Sequence, residues 1–201
     1  MIREFLTWLQ NSLGKGEGEL AQSWSEALLG SLNFWGIVEG THVLALMLFA
    51  GTILVVDLRL LGVTFRRTPV SLLSAKVLPL TVFGFAIMLA TGGLLFFAKP
   101  LVYYHNIWFR AKLIFLLLAF INIAYFHMRV QRDQAAWDRA AKPPAGARTS
   151  AVISITAWVL VITMGRLMAY SWFECGKPMP AWISAAQECS SASVDLAGLQ
   201  P

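Results

Sequence analysis

Apolar residues fall in four long, nearly unbroken runs along the chain. The first, from about 34 to 56, contains VLALMLFAGTILVV, and the second, from about 78 to 97, reads LPLTVFGFAIMLATGGLLFF. The third, from about 104 to 126, has LIFLLLAFINIAYF as its apolar part, and the fourth, from about 151 to 172, reads AVISITAWVLVITMGRLMAYSW. A helix needs about 20 mostly apolar residues to cross the hydrocarbon core of a bilayer, and each run is long enough. A membrane-spanning β-strand would alternate apolar and polar positions with period two. These runs do not alternate, so the pattern predicts helices. The expected fold is all-α: a polytopic membrane protein whose residues 33–172 form a bundle of four transmembrane helices.

Segments 1–32 and 173–201 flank this domain. In the first, Ile2, Phe5, Leu6, Leu9 and Leu13 recur at helical spacing on one face, which predicts a short amphipathic helix lying on the membrane surface. The start has neither the long apolar core nor the small-residue cleavage site of a signal peptide. The segment QRDQAAWDRAAKPPAGAR reads as a linker, because Pro143, Pro144 and Gly146 end any helix leaving the third run. There is no internal repeat, which weighs against an inverted-repeat transporter.

Composition sharpens this picture. Of 201 residues, 57% are hydrophobic and 13% charged, and mean hydropathy is +0.63. These values exclude a disordered chain and most soluble domains. The net charge of +5 does not point to nucleic acid, because the basic residues lie in loops. Arg59, Arg66, Arg67 and Lys76 follow the first run, and Arg129, Arg132, Arg139, Lys142 and Arg148 follow the third. Basic loops stay in the cytoplasm, so both termini are expected on the outer side of the membrane. Trp8, Trp24, Trp35, Trp108, Trp172 and Trp182 then sit at or beyond the outer helix ends, as an aromatic belt. Cys175 and Cys189 both fall in the tail on that oxidising side, where a disulfide is expected. No Cys-x-x-Cys-His motif indicates covalent haem attachment.

Ionisable groups within a span are costly and mark functional sites by default. Glu39 and His42 of the first helix, His105, Arg110 and Lys112 of the third, and Arg166 of the fourth are all expected in the outer third. The inner two-thirds are expected to be almost wholly apolar. Glu39 and His42 share a helix face, as do His105 and Lys112. On the second helix Thr81, Gly84, Met88 and Thr91, with Gly92 and Gly93 beside them, form a stripe that lets a flat ligand or a backbone approach. A b-type haem needs one or two imidazoles from facing helices and cations near its propionates. His42 and His105 would be the axial ligands, Arg110, Lys112 or Arg166 the propionate partners, and Glu39 a partner that orients His42 or pairs with a cation. This gives a membrane haem protein or electron-transfer subunit with one haem b near the outer face. It would work with a quinone or a periplasmic redox partner, as a homo-oligomer or within a larger membrane complex.

Two alternatives stand beside it. Under one, the polar cluster is a structural ion-pair network in a non-catalytic membrane subunit or assembly factor, with Glu39 answering Arg166. Under the other, His42, His105 and nearby methionines handle copper in a small transporter, although seven methionines are few and scattered. His127 lies about 33 Å from His105 on a continuous helix and reads as interfacial. Asp57 and Arg59 read as an interface anchor that, with Arg129 and Arg132, holds the cytoplasmic ends together. No catalytic triad, HExxH or glycine-rich nucleotide loop is present, so whether the chain is an enzyme stays open.

The first span, EGTHVLALMLFAGTILVVDLRLLGV, with its histidine followed by Asp-Leu-Arg-Leu-Leu-Gly, resembles an uncharacterised family of small bacterial inner-membrane proteins with four helices; WFRAKL of the third helix adds to the likeness. That resemblance implies the architecture and no activity. More loosely, the layout is similar to four-helix b-type membrane cytochromes. It departs from their two-haem form, since only the outer face offers a histidine pair.

Overall fold

The computed structural model describes residues 2–12, 27–28, 30–170, 173, 175 and 177–189. Among the described residues there is no strand. The helices are α1 (Ile2–Ser12), α2 (Leu32–Leu60), α3 (Val70–Ala98), α4 (Pro100–Tyr104), α5 (Ile107–Tyr125), α6 (Gln134–Trp137), α7 (Ala145–Ala169) and α8 (Ala181–Ala186). A π-helical turn, Phe126–Val130, and a 3-10 turn, Gln131–Asp133, join α5 to α6. Four stretches are long and apolar enough to cross a membrane: Asn33–Leu60, Val70–Ala98, Ile107–Trp137 and Ala145–Ala169. The chain is thus an all-α, multi-pass membrane protein. Leu13, Trp24 and Trp172 lie outside the described residues.

The helices outrun the apolar runs that announce them. α3 begins at Val70, ahead of Leu78, and carries Ser71, Ser74 and Lys76 in its first turns. A run of apolar residues reports only the part of a helix that sits in hydrocarbon; polar turns beyond it can stay helical at the interface. Pro79 lies inside α3, a position tolerated in membrane helices where neighbours satisfy the released carbonyl.

The described chain divides into two compact units, Met1–His42 with Leu89–Ala111 and Gly165–Pro201, and Val43–Met88 with Lys112–Met164. In the second unit, Phe49, Ala119, Ala157, Trp158 and Val161 form one buried cluster. The Phe49 and Trp158 rings meet edge to face at 4.9 Å, the favoured geometry for an aromatic pair. Gly84 brings α3 onto α2 so closely that a Cβ there would lie 3.1 Å from the Phe49 amide nitrogen. A second cluster joins Leu60, Val70, Val130, Trp137, Ala147 and Ala151. Beside it the loop after α2 turns at Gly62, whose φ of +72° and 2.9 Å approach to the Ala141 carbonyl both require a missing side chain.

In the first unit α1 packs against α4. On α1, Leu6 and Gln10, one turn apart, are both buried, while Ile2, Phe5 and Trp8 stay exposed. The expected apolar stripe is therefore split: Leu6 turns to protein, and Phe5 and Trp8 stack on each other at 5.8 Å. Phe96, Tyr103 and Phe109 form a stacked trio. The expected bridge between Cys175 and Cys189 is present, and α8 lies within the loop it closes, with Ile183 buried.

Candidate functional site

His42 lies on α2, half-buried, with Nδ1 2.9 Å from the Thr91 hydroxyl of α3. Gly92 is the reason the ring fits, since a Cβ there would approach His42 Cε1 to 3.1 Å. The Thr-Gly pair thus supplies a hydrogen-bond partner and an open wall at successive positions. Glu39, one turn before His42, is exposed. Burial, reinforced by the negative charge of Glu39, pushes the Tyr103 hydroxyl up to about 12, so Tyr103 stays a neutral phenol.

His105 does not share a helix with Lys112, as its sequence position suggested. Pro100 starts α4, a favoured place for proline. Asn106 then caps α5, its side-chain oxygen accepting from the Trp108 and Phe109 amides at 3.0 and 3.1 Å. His105 is left in the turn between them, 4% exposed. Its Nδ1–H donates to the Gln187 carbonyl at 2.8 Å. A carbonyl only accepts, so the neutral ring carries its lone pair on Nε2.

Arg110 grips the same tail. Its Nε donates to the Tyr104 carbonyl at 2.9 Å, Nη1 donates to the Ala186 carbonyl, and Nη2 pairs with Glu188 at 3.4 Å. The guanidinium also lies over the Tyr104 ring at 4.9 Å. Residues 186–188, just ahead of Cys189, are therefore held by the turn and first helical turn that carry His105 and Arg110. Arg166 is exposed, its guanidinium over the Tyr170 ring at 4.9 Å. Among the described residues no ion pair joins it to Glu39. Lys112 belongs to the second unit. His42, His105, Glu39, Arg110 and Arg166 share the first unit. Among the described residues no group of three or more His, Cys, Asp or Glu side chains is placed to hold a bare metal ion.

The second unit carries buried polar groups that the apolar appearance of the inner runs concealed. Arg59, expected as an interface anchor, is 0% exposed. It donates to the Thr68 carbonyl at 2.8 Å, to that of Ala140 at 3.1 Å and to that of Asp138 at 3.4 Å. It ties two loops together through their carbonyls rather than through carboxylates. Asn122 and Ser150 exchange two hydrogen bonds, both 3.0 Å, between α5 and α7. Asp57 is buried as well and receives the Ser154 hydroxyl. The legible signal is Asn122 within the apolar part of the third run, with Ser150 and Ser154 four apart on one face of α7.

Asp138 sits outside the spans. Its slight burial would raise its carboxyl, but hydrogen bonds from the Ser71 hydroxyl and amide, from Gln134 and from the Val70 amide outweigh this and hold it below the ordinary carboxylate range.

No curated protein and no solved structure matches the chain. Residues 30–171, the stretch that contains all four spans, match a family described as of unknown function, DUF6644. The protein belongs to that family.

Proposed function

We propose that the chain is a membrane haem-b protein, an electron-transfer subunit of a bacterial inner membrane, with one haem near the periplasmic face held by His42 and His105. One shared feature carries this reading: each imidazole places Nδ1 against an oxygen, Thr91 for His42 and Gln187 for His105. Histidines that bind metal are usually fixed this way, with the far nitrogen as ligand. For His105 the carbonyl dictates that tautomer, and His42 adopts the same one when it donates to the Thr91 hydroxyl.

Bound haem would supply a one-electron couple. The chain's own residues would set its surroundings. The missing side chain at Gly92 accommodates the His42 ring, and the tail fixes His105 from behind. Arg110 is already committed to two carbonyls and to Glu188, so Arg166, exposed beside Tyr170, is the first unit's better cation for a propionate. With both termini periplasmic, the disulfide faces an oxidising compartment, and a quinone or a periplasmic protein would exchange the electron.

A second reading has one observation in its favour. At 4% exposure, and bonded to the tail, His105 serves equally as a structural clamp in a non-catalytic membrane subunit. Haem content separates the two. Protein purified from haem-replete cells should carry one haem per chain, with a Soret peak and reduced α and β bands. Preparations with no Soret absorbance would reject the haem reading and leave the clamp.

A further inference from the structure

The second unit contains a buried acid that the haem reading does not use. Asp57 sits in the last turn of α2 and is 6% exposed. Among the described residues one polar partner reaches it, the hydroxyl of Ser154 on α7, itself 7% exposed. The other carboxyl oxygen, Oδ2, is buried with no hydrogen-bond partner among the described residues. An ionised carboxylate buried in such a place would keep its charge without a full set of protein donors or a counter-ion among the described residues, which is strongly disfavoured.

The neighbouring charges have partners of their own. Arg59 of the same helix gives Nε and Nη2 to the carbonyls of Thr68, Asp138 and Ala140, and its Nη1 is buried with no hydrogen-bond partner among the described residues. Arg66 is bonded to the Gly62 carbonyl, the Asp138 carboxylate receives Ser71, and His127 is bonded to the Gln131 side chain. Tyr125 at the end of α5, Arg129 and Arg132 beyond it, and Arg148 of α7 are exposed. No ion pair reaches Asp57 among the described residues. One turn from Ser154 on the same face of α7, Ser150 exchanges hydrogen bonds with Asn122. Buried groups able both to donate and to accept therefore continue from Asp57 across α7 to α5.

We propose that Asp57 is an intramembrane proton-binding site, its carboxylate taking a proton from hydronium and releasing water, with Ser154 as the hydroxyl that faces the resulting acid. A metal cation such as calcium or magnesium would want about six oxygen ligands; this place offers one carboxyl and one hydroxyl, which suits a proton. The proposal rests on the second unit alone and stands whether or not haem is bound.

The test uses the full-length protein in lipid vesicles and two readouts. Dicyclohexylcarbodiimide reacts with the acid form of a carboxyl: the O–H adds across one C=N bond, and the adduct rearranges to an N-acylurea with no leaving group. Peptide mass spectrometry should find this adduct at Asp57 at neutral pH, declining as pH rises and absent in Asp57→Asn. Infrared spectra at neutral pH should show a carboxylic C=O band that Asp57→Asn removes and Ser154→Ala shifts in frequency. Asp57→Asn should melt within a few degrees of the wild type, because the amide is neutral and keeps the hydrogen bond. If Asp57→Asn does not fold, the Ser154→Ala shift and the wild-type adduct decide. An Asp57 that stays unlabelled at neutral pH, with no C=O band sensitive to position 154, would overturn the proposal.

Discussion

The His105 imidazole and the Gln187 backbone are joined by a 2.8 Å hydrogen bond, and Gln187 is two residues from Cys189, which is bonded to Cys175. The group that fixes the orientation of this histidine is therefore tethered by the disulfide. Arg110 holds the residues on either side of Gln187, Ala186 and Glu188, so the tail is fastened at three consecutive positions as well as by the bridge.

Replacing Cys175 and Cys189 together by serine should loosen this fastening. On the chain-entropy view, closing a loop of about 15 residues stabilises by about 3 kcal/mol, so the double variant should melt at lower temperature. The Ala186–Glu188 amides should also exchange hydrogen faster, while those of Phe49 and Trp158 in the second unit stay unchanged. Equal exchange at 186–188 in both proteins would show that the bridge does not hold the segment.

Gly92→Val tests the His42 niche. Its side chain would run into the imidazole, since even the Cβ lies 3.1 Å from Cε1, and overpacking of this kind costs about 1–3 kcal/mol. Gly93→Ala is the control. Nothing lies within 4 Å of a Cβ at that position, and alanine favours helix over glycine by about 1 kcal/mol. The expected order of melting temperature is Gly93→Ala at or above wild type, and Gly92→Val clearly below.

Arg59→Met should destabilise the protein by about 3 kcal/mol or more, because hydrogen bonds to a charged donor contribute about 1.5–3 kcal/mol each and three carbonyls would lose theirs. Arg129→Met, at an exposed position, should be nearly silent. Comparable losses in the two variants would contradict the clamp drawn for Arg59.

Asp138 gives a pH dependence whose sign is fixed. Its carboxyl is held below the ordinary carboxylate range by Ser71, Gln134 and Val70, so the unfolded chain binds the proton more readily. The stability it contributes is present above that range and is lost as pH falls through and below it. Asp138→Asn should flatten the acidic limb of stability against pH. An unchanged acidic limb would show that these bonds carry no pH dependence.

The four spans were legible because a helix in hydrocarbon must be apolar all round, which no other arrangement of these runs explains. Their ends were not, because the polar turns that begin α3 and α7 carry no hydrophobic signal. Counting along the third run puts His105 on its helix, whereas Asn106, a good capping residue, marks the helix start just after it. Asp57 and Arg59 read as interface residues in the sequence because position along a helix does not reveal which face is covered. The loops that bury Arg59 come from residues 68 and 138–140, a long-range arrangement that no local pattern encodes. The cysteine bridge was legible from two residues in one tail, whereas the hydrogen bond from His105 to Gln187 depends on where that tail settles.

His42 and His105 would together hold one haem, and low-temperature electron paramagnetic resonance of the oxidised protein tests this most directly. The wild type should give a low-spin ferric signal. His42→Ala and His105→Ala should each convert it to high spin or lose the haem, and His127→Ala, whose ring is bonded to Gln131 and exposed, should leave it unchanged. A low-spin signal that survives in either His42→Ala or His105→Ala, or a wild type with no ferric haem signal at all, would contradict the assignment.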